Sequence, residues 1–364
     1  MGPIRGGGPS TFLAGLFGAG VTLVLLLLAA LAWGYAAYSG PGPEAREGEE
    51  TIVVLRSGSG VSEIGQTLEA AGVIRSADAF RVAATVTGAD RSLRAGEYRF
   101  PSEASLRDVI GLLRSGRVVR HFVTLPEGRS VAQAMDILMA EDILTGDITD
   151  IPPEGTLWPE TYEITRGEER MEVIQRMRRE HEENLARLWA QRDPTVQLAN
   201  PQEALILASI VEKETGVAAE RPRIAAVFLN RLRIGMRLET DPTVIYGVTQ
   251  GRPLGRGLRL SELRRDTPYN TYLRGGLPPT PIANPGEAAL RAVLRPPRTD
   301  ELFFVADGTG GHVFARTYEE HLQNVARWRE IERNRGAAAR AAGEVTGEGP
   351  DRPDEAAPAA ADAS

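Results

Sequence analysis

The chain opens with one long apolar run, and amphipathic segments follow it. Residues 11–38 carry no charged side chain and contain the stretch V-T-L-V-L-L-L-L-A-A-L-A-W. The run is long enough to span a bilayer. Trp33 and Tyr38 lie near its end, where aromatic residues favour a membrane interface. The pattern predicts a transmembrane helix over residues 11–38, after a short cytoplasmic segment (1–10) and before a linker (39–50).

The charges around the apolar run indicate its orientation only weakly. Arg5 precedes the run, whereas Arg46 and several glutamates follow it, which favours a cytoplasmic N-terminus. The alternative is a cleaved signal peptide, because the tripeptides A-L-A and Y-A-A resemble cleavage sites. The run is longer than the apolar part of a usual signal peptide, so we expect an uncleaved anchor.

Residues 51–125 predict a small α/β domain. Apolar residues alternate or recur at helical spacing between Gly- and Ser-rich turns. The predicted order is a strand at 51–55, helices at 61–71 and 77–87, a short strand pair or edge within 93–100, a helix at 105–114 and a strand at 118–125. A weak repeat relates the segment from Gly58 to the segment from Gly128, since each begins with a turn and continues as an amphipathic helix.

The longer part of the chain, residues 126–333, predicts a mixed α+β domain. Its predicted elements are helices at 168–189, 200–214, 220–232, 241–247, 258–266, 284–294 and 318–333, with a hairpin at 302–315 around a Gly-rich turn. Residues 334–364 are mostly Ala, Gly, Pro and charged residues, so we expect them to be disordered. The expected fold class is therefore α+β, with one N-terminal transmembrane helix.

One helix at the centre of this domain has both ends marked in the sequence. Asn200 is a suitable N-cap, Pro201 suits the first helical position, and Glu203 can complete a capping box. Gly216 can adopt the left-handed conformation that ends a helix. The helix carries an apolar stripe at helical spacing, formed by Ile206, Leu207, Ile210 and Val211.

Two glutamates near the end of this helix differ in helical phase. Glu214 falls in line with the apolar stripe, and Glu212 falls nearly opposite to it. Apolar surroundings and the C-terminal end of a helix dipole both raise a carboxyl pKa. Glu214 therefore meets the conditions for a general acid. The alternative is that the last turn frays and Glu214 is a solvated residue.

Composition excludes several kinds of chemistry. The net charge is −7 and the isoelectric point about 5.4, which argues against nucleic acid as a partner. The chain has no cysteine, so disulfides, thiolate catalysis and cysteine zinc sites are excluded. Its four histidines are scattered without paired spacing. We therefore expect neither a metal site nor a cofactor.

Several long motifs resemble one known family. These are V-E-K-E-T, then F-L-N-R-L-R-I-G-M-R-L-E-T-D-P-T-V-I-Y-G, then Y-N-T-Y and G-L-P-P-T-P-I-A-N-P-G, with W-P-E-T-Y upstream. Together they resemble the MltG (YceG-like) family of endolytic murein transglycosylases, over about residues 51–333. In that family the second glutamate of E-K-E-T is the catalytic acid, which corresponds to Glu214. The resemblance also implies a LysM-like subdomain at 51–125 and a YceG-like catalytic domain at 126–333. Glycan binding by the LysM-like part stays open, because strand-turn-helix units are common and the segment shows no aromatic platform for a sugar.

The resemblance implies a function and a location. The expected activity is that of a peptidoglycan lytic transglycosylase, which cuts nascent glycan strands between MurNAc and GlcNAc, leaves 1,6-anhydroMurNAc ends and terminates elongation. We expect a single-pass protein of the cell inner membrane with its catalytic domain in the periplasm. The expected partners are glycan strands and peptidoglycan synthases of the penicillin-binding class. Candidate substrate-binding residues are Asn230, Asp241, Tyr246, Tyr269, Asn270, Tyr272, Trp158 and Tyr162.

Some alternatives stay open from the sequence alone. Trp158 and Tyr162 suit either sugar stacking or packing on the catalytic core. A glycan hydrolase needs a second carboxylate, for which Asp241 and Glu160 are the candidates, whereas a lytic transglycosylase needs one, because the 6-hydroxyl of the sugar is the nucleophile. A third possibility is a non-enzymatic wall-binding or scaffold protein that acts through the LysM-like part.

Overall fold

The computed structural model describes residues 9–56 and 58–341. The chain divides into two compact units, Met1–His121 and Phe122–Ser364. This boundary lies a few residues before the domain boundary predicted at residue 125. Two predictions, for the cytoplasmic segment before residue 9 and for the tail after residue 341, lie outside the described residues.

The apolar run forms one long helix, as predicted. Helix α1 spans Pro9–Ser39, and its stretch Val21–Ser39 is long and apolar enough to cross a membrane. The predicted linker after it is not a free tether. The amide of Gly42 donates to the carbonyl of Glu103 (3.0 Å), and the amide of Glu103 donates to the carbonyl of Pro43 (2.9 Å). The segment is thus bound to a turn of the first unit.

The first unit is a β-α-α-β arrangement followed by a third helix. Its elements are β1 (Glu50–Leu55), α2 (Val61–Ala70), α3 (Ala77–Val86), β2 (Gly96–Pro101) and α4 (Leu106–Ser115). Strands β1 and β2 pair antiparallel, with Val53 opposite Tyr98. Alternate residues of β2 point into a core with Leu68, Phe80 and Leu113, because side chains alternate across a strand. The segment 93–100 therefore supplies one strand of this sheet and not a strand pair of its own.

The second unit begins with a small sheet and two helices. Strand β3 (His121–Thr124), at the unit boundary, pairs with β4 (Thr161–Ile164). Helix α5 (Val131–Met139) starts with a capping box between Ser130 and Gln133, and helix α6 (Arg170–Ala190) follows β4. Together these elements enclose a separate apolar cluster.

The core of the second unit surrounds one helix. Helix α7 spans Pro201–Glu214, and every residue from Ala204 to Val211 is buried. Helices α8 (Arg221–Arg233), α9 (Asp241–Thr249) and α11 (Glu287–Leu294) pack around it, and the short α10 (Leu260–Leu263) follows α9. A helix that is apolar on all sides is an interior helix, which fixes the position of its C-terminal end.

A hairpin and a terminal helix complete the second unit. Strands β5 (Phe303–Ala306) and β6 (His312–Ala315) pair antiparallel, with Phe304 opposite Phe314, as predicted. Helix α12 runs from Tyr318 to Ala341 and packs on both strands. Residues 334–341, for which we expected disorder, continue this helix. The alanines and arginines there are strong helix formers that extend an existing helix.

Candidate active site

Glu214 is the last residue of α7, where the buried helix meets a pocket. The hydroxyl of Thr240 donates to Glu214 Oε2 at 2.7 Å. Thr240 is buried and is the residue before α9, so the start of one helix orients the acid at the end of another. Thr215 after the acid is extended, and Gly216 does not adopt the positive φ that we predicted. Helix α7 therefore ends by extension of the chain, and not by a left-handed glycine.

The other end of α7 forms as the sequence indicates. Asn200 Oδ1 accepts a hydrogen bond from the amide of Glu203 at 2.9 Å, which confirms the predicted N-cap. The carboxylate of Glu203 accepts from the amide of Ala199 at 2.8 Å, one residue before the position that a standard capping box uses. A firmly capped start and a fully buried middle hold Glu214 in place.

The pocket beside Glu214 has a volume of about 230 Å³. It combines charged residues from α7, α8 and the segment before α9 with an aromatic wall from β5 and α12. Its lining consists of Glu214, Arg231, Glu239, Asp241, Tyr272, Phe303, Phe304, Tyr318, His321, Leu322, Val325, Ala326 and Arg329. Such a mixture of apolar wall and convergent polar groups is typical of a ligand site.

The pKa of Glu214 is raised to about 7, mainly because burial disfavours its charged form. The nearby charge of Asp241 raises it further, whereas the hydrogen bond from Thr240 and the charges of His312 and Arg231 act in the opposite direction. The predicted perturbation of this pKa is thus confirmed. A carboxyl group with a pKa near neutrality can both donate a proton and hold the charge that remains.

Arg231 is a buried cation in the same pocket. Its Nε donates to the carbonyl of Leu302 and its Nη1 to the carbonyl of Leu238, each at 2.7 Å. Burial lowers the pKa of Arg231, and the nearby charges of Glu239 and Glu214 raise it. Sequence reasoning missed this residue. A signal was present, since an arginine three residues after the buried Phe228 lies on the apolar face of α8.

Glu239 contributes another carboxylate to the pocket. Its φ of 49° is left-handed, which is uncommon for a residue other than glycine. Burial raises the pKa of Glu239, and the charges of Arg231 and Arg237 lower it. Such backbone conformations concentrate at functional sites, where the surrounding structure enforces them. Here the conformation lies next to Thr240, which orients the acid.

Glu212 occupies a different environment from Glu214, but not the one that helical phase suggests. Its side chain is only 5% exposed. Its two oxygens accept hydrogen bonds from Arg221 Nη2 (3.2 Å) and from the amide of Gly286 (3.0 Å). Gly286 is the N-cap of α11, so the carboxylate of Glu212 stabilises the positive end of that helix. Glu212 therefore has structural partners, although helical phase placed it on the face opposite to the apolar stripe.

Two of the predicted substrate residues, Asp241 and Tyr272, line the pocket with Glu214. The hydroxyl of Tyr272 donates to Asp241 Oδ1 at 2.8 Å. The negative charge of Asp241 also acts on Glu214 and raises the pKa of that acid. The alternative second carboxylate, Glu160, is exposed and is not part of this lining.

The remaining predicted residues do not line this pocket. Asn230 donates from Nδ2 to the carbonyls of Thr299 and Glu301, and fully buried Asn270 donates from Nδ2 to the carbonyls of Leu263 and Arg265. Tyr246 donates to the carboxylate of Glu154, and its ring contacts that of Tyr269 at 4.9 Å. The hydrogen bonds of Asn270 and Tyr246 hold the segments next to α9 in place, and those of Asn230 join α8 to the segment before β5. Asn230 lines a separate cavity of about 920 Å³ on the other side of α8 and not the pocket beside Glu214.

Trp158 and Tyr162 are buried, at 6% and 4% exposure. The hydroxyl of Tyr162 donates to the carbonyl of Trp158 at 2.8 Å. A ring with so little accessible surface has no free face on which a sugar could stack. Their burial supports packing, which was the alternative for these two residues.

The shifted pKa of Glu214 predicts a pH-dependent difference in stability between the wild type and Glu214→Gln. The folded pKa of about 7 lies above the ordinary value of 4.5, so stability is present below pH 4.5 and is lost as pH rises through 7. Relative to the glutamine variant, the wild type should lose about 3 kcal/mol of unfolding free energy across this window.

The measurement is urea unfolding of both detergent-solubilised proteins from pH 4 to pH 8. All other carboxylates are shared, so only the difference between the two curves is informative. A difference that stays constant with pH would show that the pKa of Glu214 is the same in the folded and unfolded states.

Comparison with known proteins places the chain in a family of cell-wall enzymes. The model of the YceG-like family matches residues 53–327, and the chain belongs to this family. The endolytic murein transglycosylase of Bacillus subtilis (strain 168) is 31% identical over 311 residues, which cover 77% of this chain and 85% of that protein. This relative supports the resemblance drawn from the sequence motifs.

Two further proteins are similar over most of the chain. The endolytic murein transglycosylase of Streptococcus pneumoniae serotype 2 (strain D39) is 30% identical over 333 residues, 78% of this chain and 59% of that longer protein. A crystal structure of a yceG-like protein from Listeria monocytogenes is 28% identical, with a TM-score of 0.49, over 76% of this chain and 98% of the other.

Proposed function

We propose that this chain is an endolytic murein transglycosylase in which Glu214 is the catalytic acid and then the base. The observation that carries the proposal is the position of Glu214, a half-buried residue at the end of the central helix and in the wall of a polar and aromatic pocket, where desolvation raises the pKa of its carboxyl to about 7. Family membership and the similar enzymes support the same activity.

The proposed reaction needs only this one acid. Protonated Glu214 donates its proton to the glycosidic oxygen as the bond from that oxygen to C1 of the MurNAc residue breaks. The resulting carboxylate then takes the proton of the 6-hydroxyl while the oxygen of that hydroxyl bonds to C1. This step gives a 1,6-anhydro end and restores the protonated acid. The nucleophile belongs to the same sugar, so its effective concentration is high.

The surroundings of Glu214 suit both halves of this cycle. Burial favours the protonated acid that the first half requires. Arg231 and the hydroxyl of Thr240 favour the carboxylate that the second half requires. A pKa near the working pH is the compromise that acid–base catalysis favours.

A hydrolase is the second candidate, and Asp241 is the observation that favours it. This carboxylate acts electrostatically on Glu214 in the same pocket, and a hydrolase requires a second carboxylate to activate water. One oxygen of Asp241 already accepts a hydrogen bond from Tyr272, and the transglycosylase reaction needs no base at that position.

The products distinguish these two reactions. We expect purified, uncrosslinked glycan strands to be cut internally into fragments that end in 1,6-anhydro sugars and are lighter by one water than hydrolytic products. Digestion in ¹⁸O-labelled water, followed by mass spectrometry, should leave the fragments unlabelled. Labelled reducing ends would support the hydrolase, and no cleavage at all would support the scaffold alternative.

The cellular setting is part of the same proposal. Helix α1 anchors the chain in the inner membrane as a single span, with both folded units outside the cytoplasm, and cleavage terminates the elongation of nascent strands beside a synthase. The small unit at the end of α1 is LysM-like and binds glycan. The exposed apolar side chains of Val21–Ser39 support the anchor, and the family relationship supports the rest.

A further inference from the structure

The first unit carries a basic pocket at the end of the membrane helix. The pocket has a volume of about 520 Å³ and lies along the exposed face of α4. Three of its lining side chains are exposed arginines, Arg107, Arg114 and Arg117, and one is an acid, Asp108. The same pocket is lined by Tyr38, near the C-terminal end of the apolar span.

The end of α1 is fixed to this unit rather than connected to it by a loose tether. Tyr38 packs against the hydrophobic core of the first unit, and α1 contacts α4. The segment that follows is hydrogen-bonded to the turn before α4, through the paired amides and carbonyls of Gly42, Pro43 and Glu103. A helix that ends at a bilayer surface would therefore keep α4 at the level of the lipid headgroups.

We propose that this pocket binds the phosphates of anionic lipid headgroups in the leaflet where α1 emerges. The proposal rests on the membrane anchor of the proposed function, but it does not depend on the catalytic chemistry. It assigns α4 the role of setting the height and tilt of the first unit above the bilayer.

The chemistry of the pocket fits a phosphate better than a sugar or a peptide. A guanidinium group binds phosphate through paired N–H donors, and basic residues close to a membrane surface are attracted to anionic lipid. The single lining acid, Asp108, accepts a hydrogen bond from the hydroxyl of Ser105 at 2.5 Å, and the amide of Asp108 donates back to that hydroxyl at 3.2 Å. Its carboxylate is thus held at the helix N-terminus. Tyr38 supplies the amphipathic ring that favours the interface.

The absence of cysteine allows a background-free test. Gly111 lies at the edge of the pocket, in its lining on the exposed face of α4, and a Cβ added there would meet no atom within 4 Å. Full-length Gly111→Cys protein is labelled with a fluorophore and reconstituted into vesicles that carry a quencher on some headgroups. One set of vesicles contains phosphatidylcholine alone, and the other contains added phosphatidylglycerol. A second label site, Val86→Cys, is 82% exposed on α3 and reports on the general distance to the membrane.

We expect quenching at residue 111 to be at least about twofold stronger in the anionic vesicles, and to weaken as salt screens the attraction. Quenching at residue 86 should change little. Arg107→Gln, Arg114→Gln and Arg117→Gln together should abolish the lipid dependence. A matched control, with Arg56, Arg81 and Arg91 each changed to Gln, removes the same charge from exposed positions of the same unit and should retain it.

The outcomes separate the headgroup site from the anchor. Protein that fails to float with vesicles in high salt would overturn the anchor, and the headgroup proposal with it, while leaving the cleavage assay unaffected. Protein that floats but shows equal quenching in both lipids would overturn the headgroup site alone. If anionic vesicles do not increase the quenching at residue 111, and inorganic phosphate at matched ionic strength still changes the emission of this label in neutral vesicles, the site binds soluble phosphate and the lipid assignment is wrong.

Discussion

Glu214→Gln should leave the protein folded and remove nearly all glycan cleavage, with a loss of about 10²- to 10⁴-fold in rate. Glutamine keeps the size of the side chain and can still accept the hydrogen bond from Thr240, but it cannot act as an acid. Neither of the other two carboxyl groups in the pocket can replace Glu214 as the acid, since Asp241 is hydrogen-bonded to Tyr272 and the charge of Arg231 acts on Glu239. The assay is mass spectrometry of uncrosslinked strands for internal cuts.

Glu212→Gln is the matched control, because it changes the same residue type two positions away on the same helix. The structure predicts a different kind of effect for it. The variant removes the charge that pairs with Arg221 and faces the N-terminus of α11, so it should lower the melting temperature while folded protein keeps most of its activity. A dead Glu212→Gln protein with an active Glu214→Gln protein would reverse the assignment of the acid.

Asn284→Ala should destabilise the second unit by about 2–4 kcal/mol, because it leaves the buried amide of Leu157 without its acceptor and removes most of a fully buried side chain. The side chain is fully buried. Its Oδ1 accepts from the amide of Leu157 and its Nδ2 donates to the carbonyl of Arg129, both at 2.9 Å. One amide therefore joins two loops from the start of this unit to the segment before α11.

The measurement for Asn284→Ala is urea unfolding of the detergent-solubilised protein. Asn184→Ala serves as the control, since Asn184 is half-buried on α6 and its Nδ2 donates to the carbonyl of Glu180, four residues back on the same helix. It should cost well under half as much. Equal losses for the two variants would show that the bridging role of Asn284 adds nothing to the stability of the unit.

Asn284 also shows where a local pattern misleads. The sequence Asn284-Pro285 predicts a helix cap, but α11 begins at Glu287 with Gly286 as its N-cap. The side chain that would have capped the helix is used across the domain, and the carboxylate of Glu212 accepts from the Gly286 amide. A helix-cap pattern in the sequence indicates which side chains can bind backbone groups. Long-range packing decides which backbone groups they bind.

The site shows the same division for individual residues. Glu214, Asp241 and Tyr272 were predicted, and the structure brings them to one pocket. Arg231 and His321 were not predicted, although both line it. Polar and aromatic residues near the motifs are equally good candidates in a sequence. Only the folded chain shows which of them are already hydrogen-bonded to the backbone, as Asn230, Asn270 and Tyr162 are.

The sequence by itself determined the order and type of most helices and strands, because apolar periodicity and cap residues are local. It also determined the family, through long motifs, and singled out Glu214. Only the tertiary structure decided why Glu214 differs from Glu212. Helix α7 is buried on every side from Ala204 to Val211, so helical phase cannot separate the two carboxylates. Their partners distinguish them. Glu212 faces Arg221 and the N-terminus of α11, whereas Glu214 faces a pocket in which burial raises the pKa of its carboxyl to about 7.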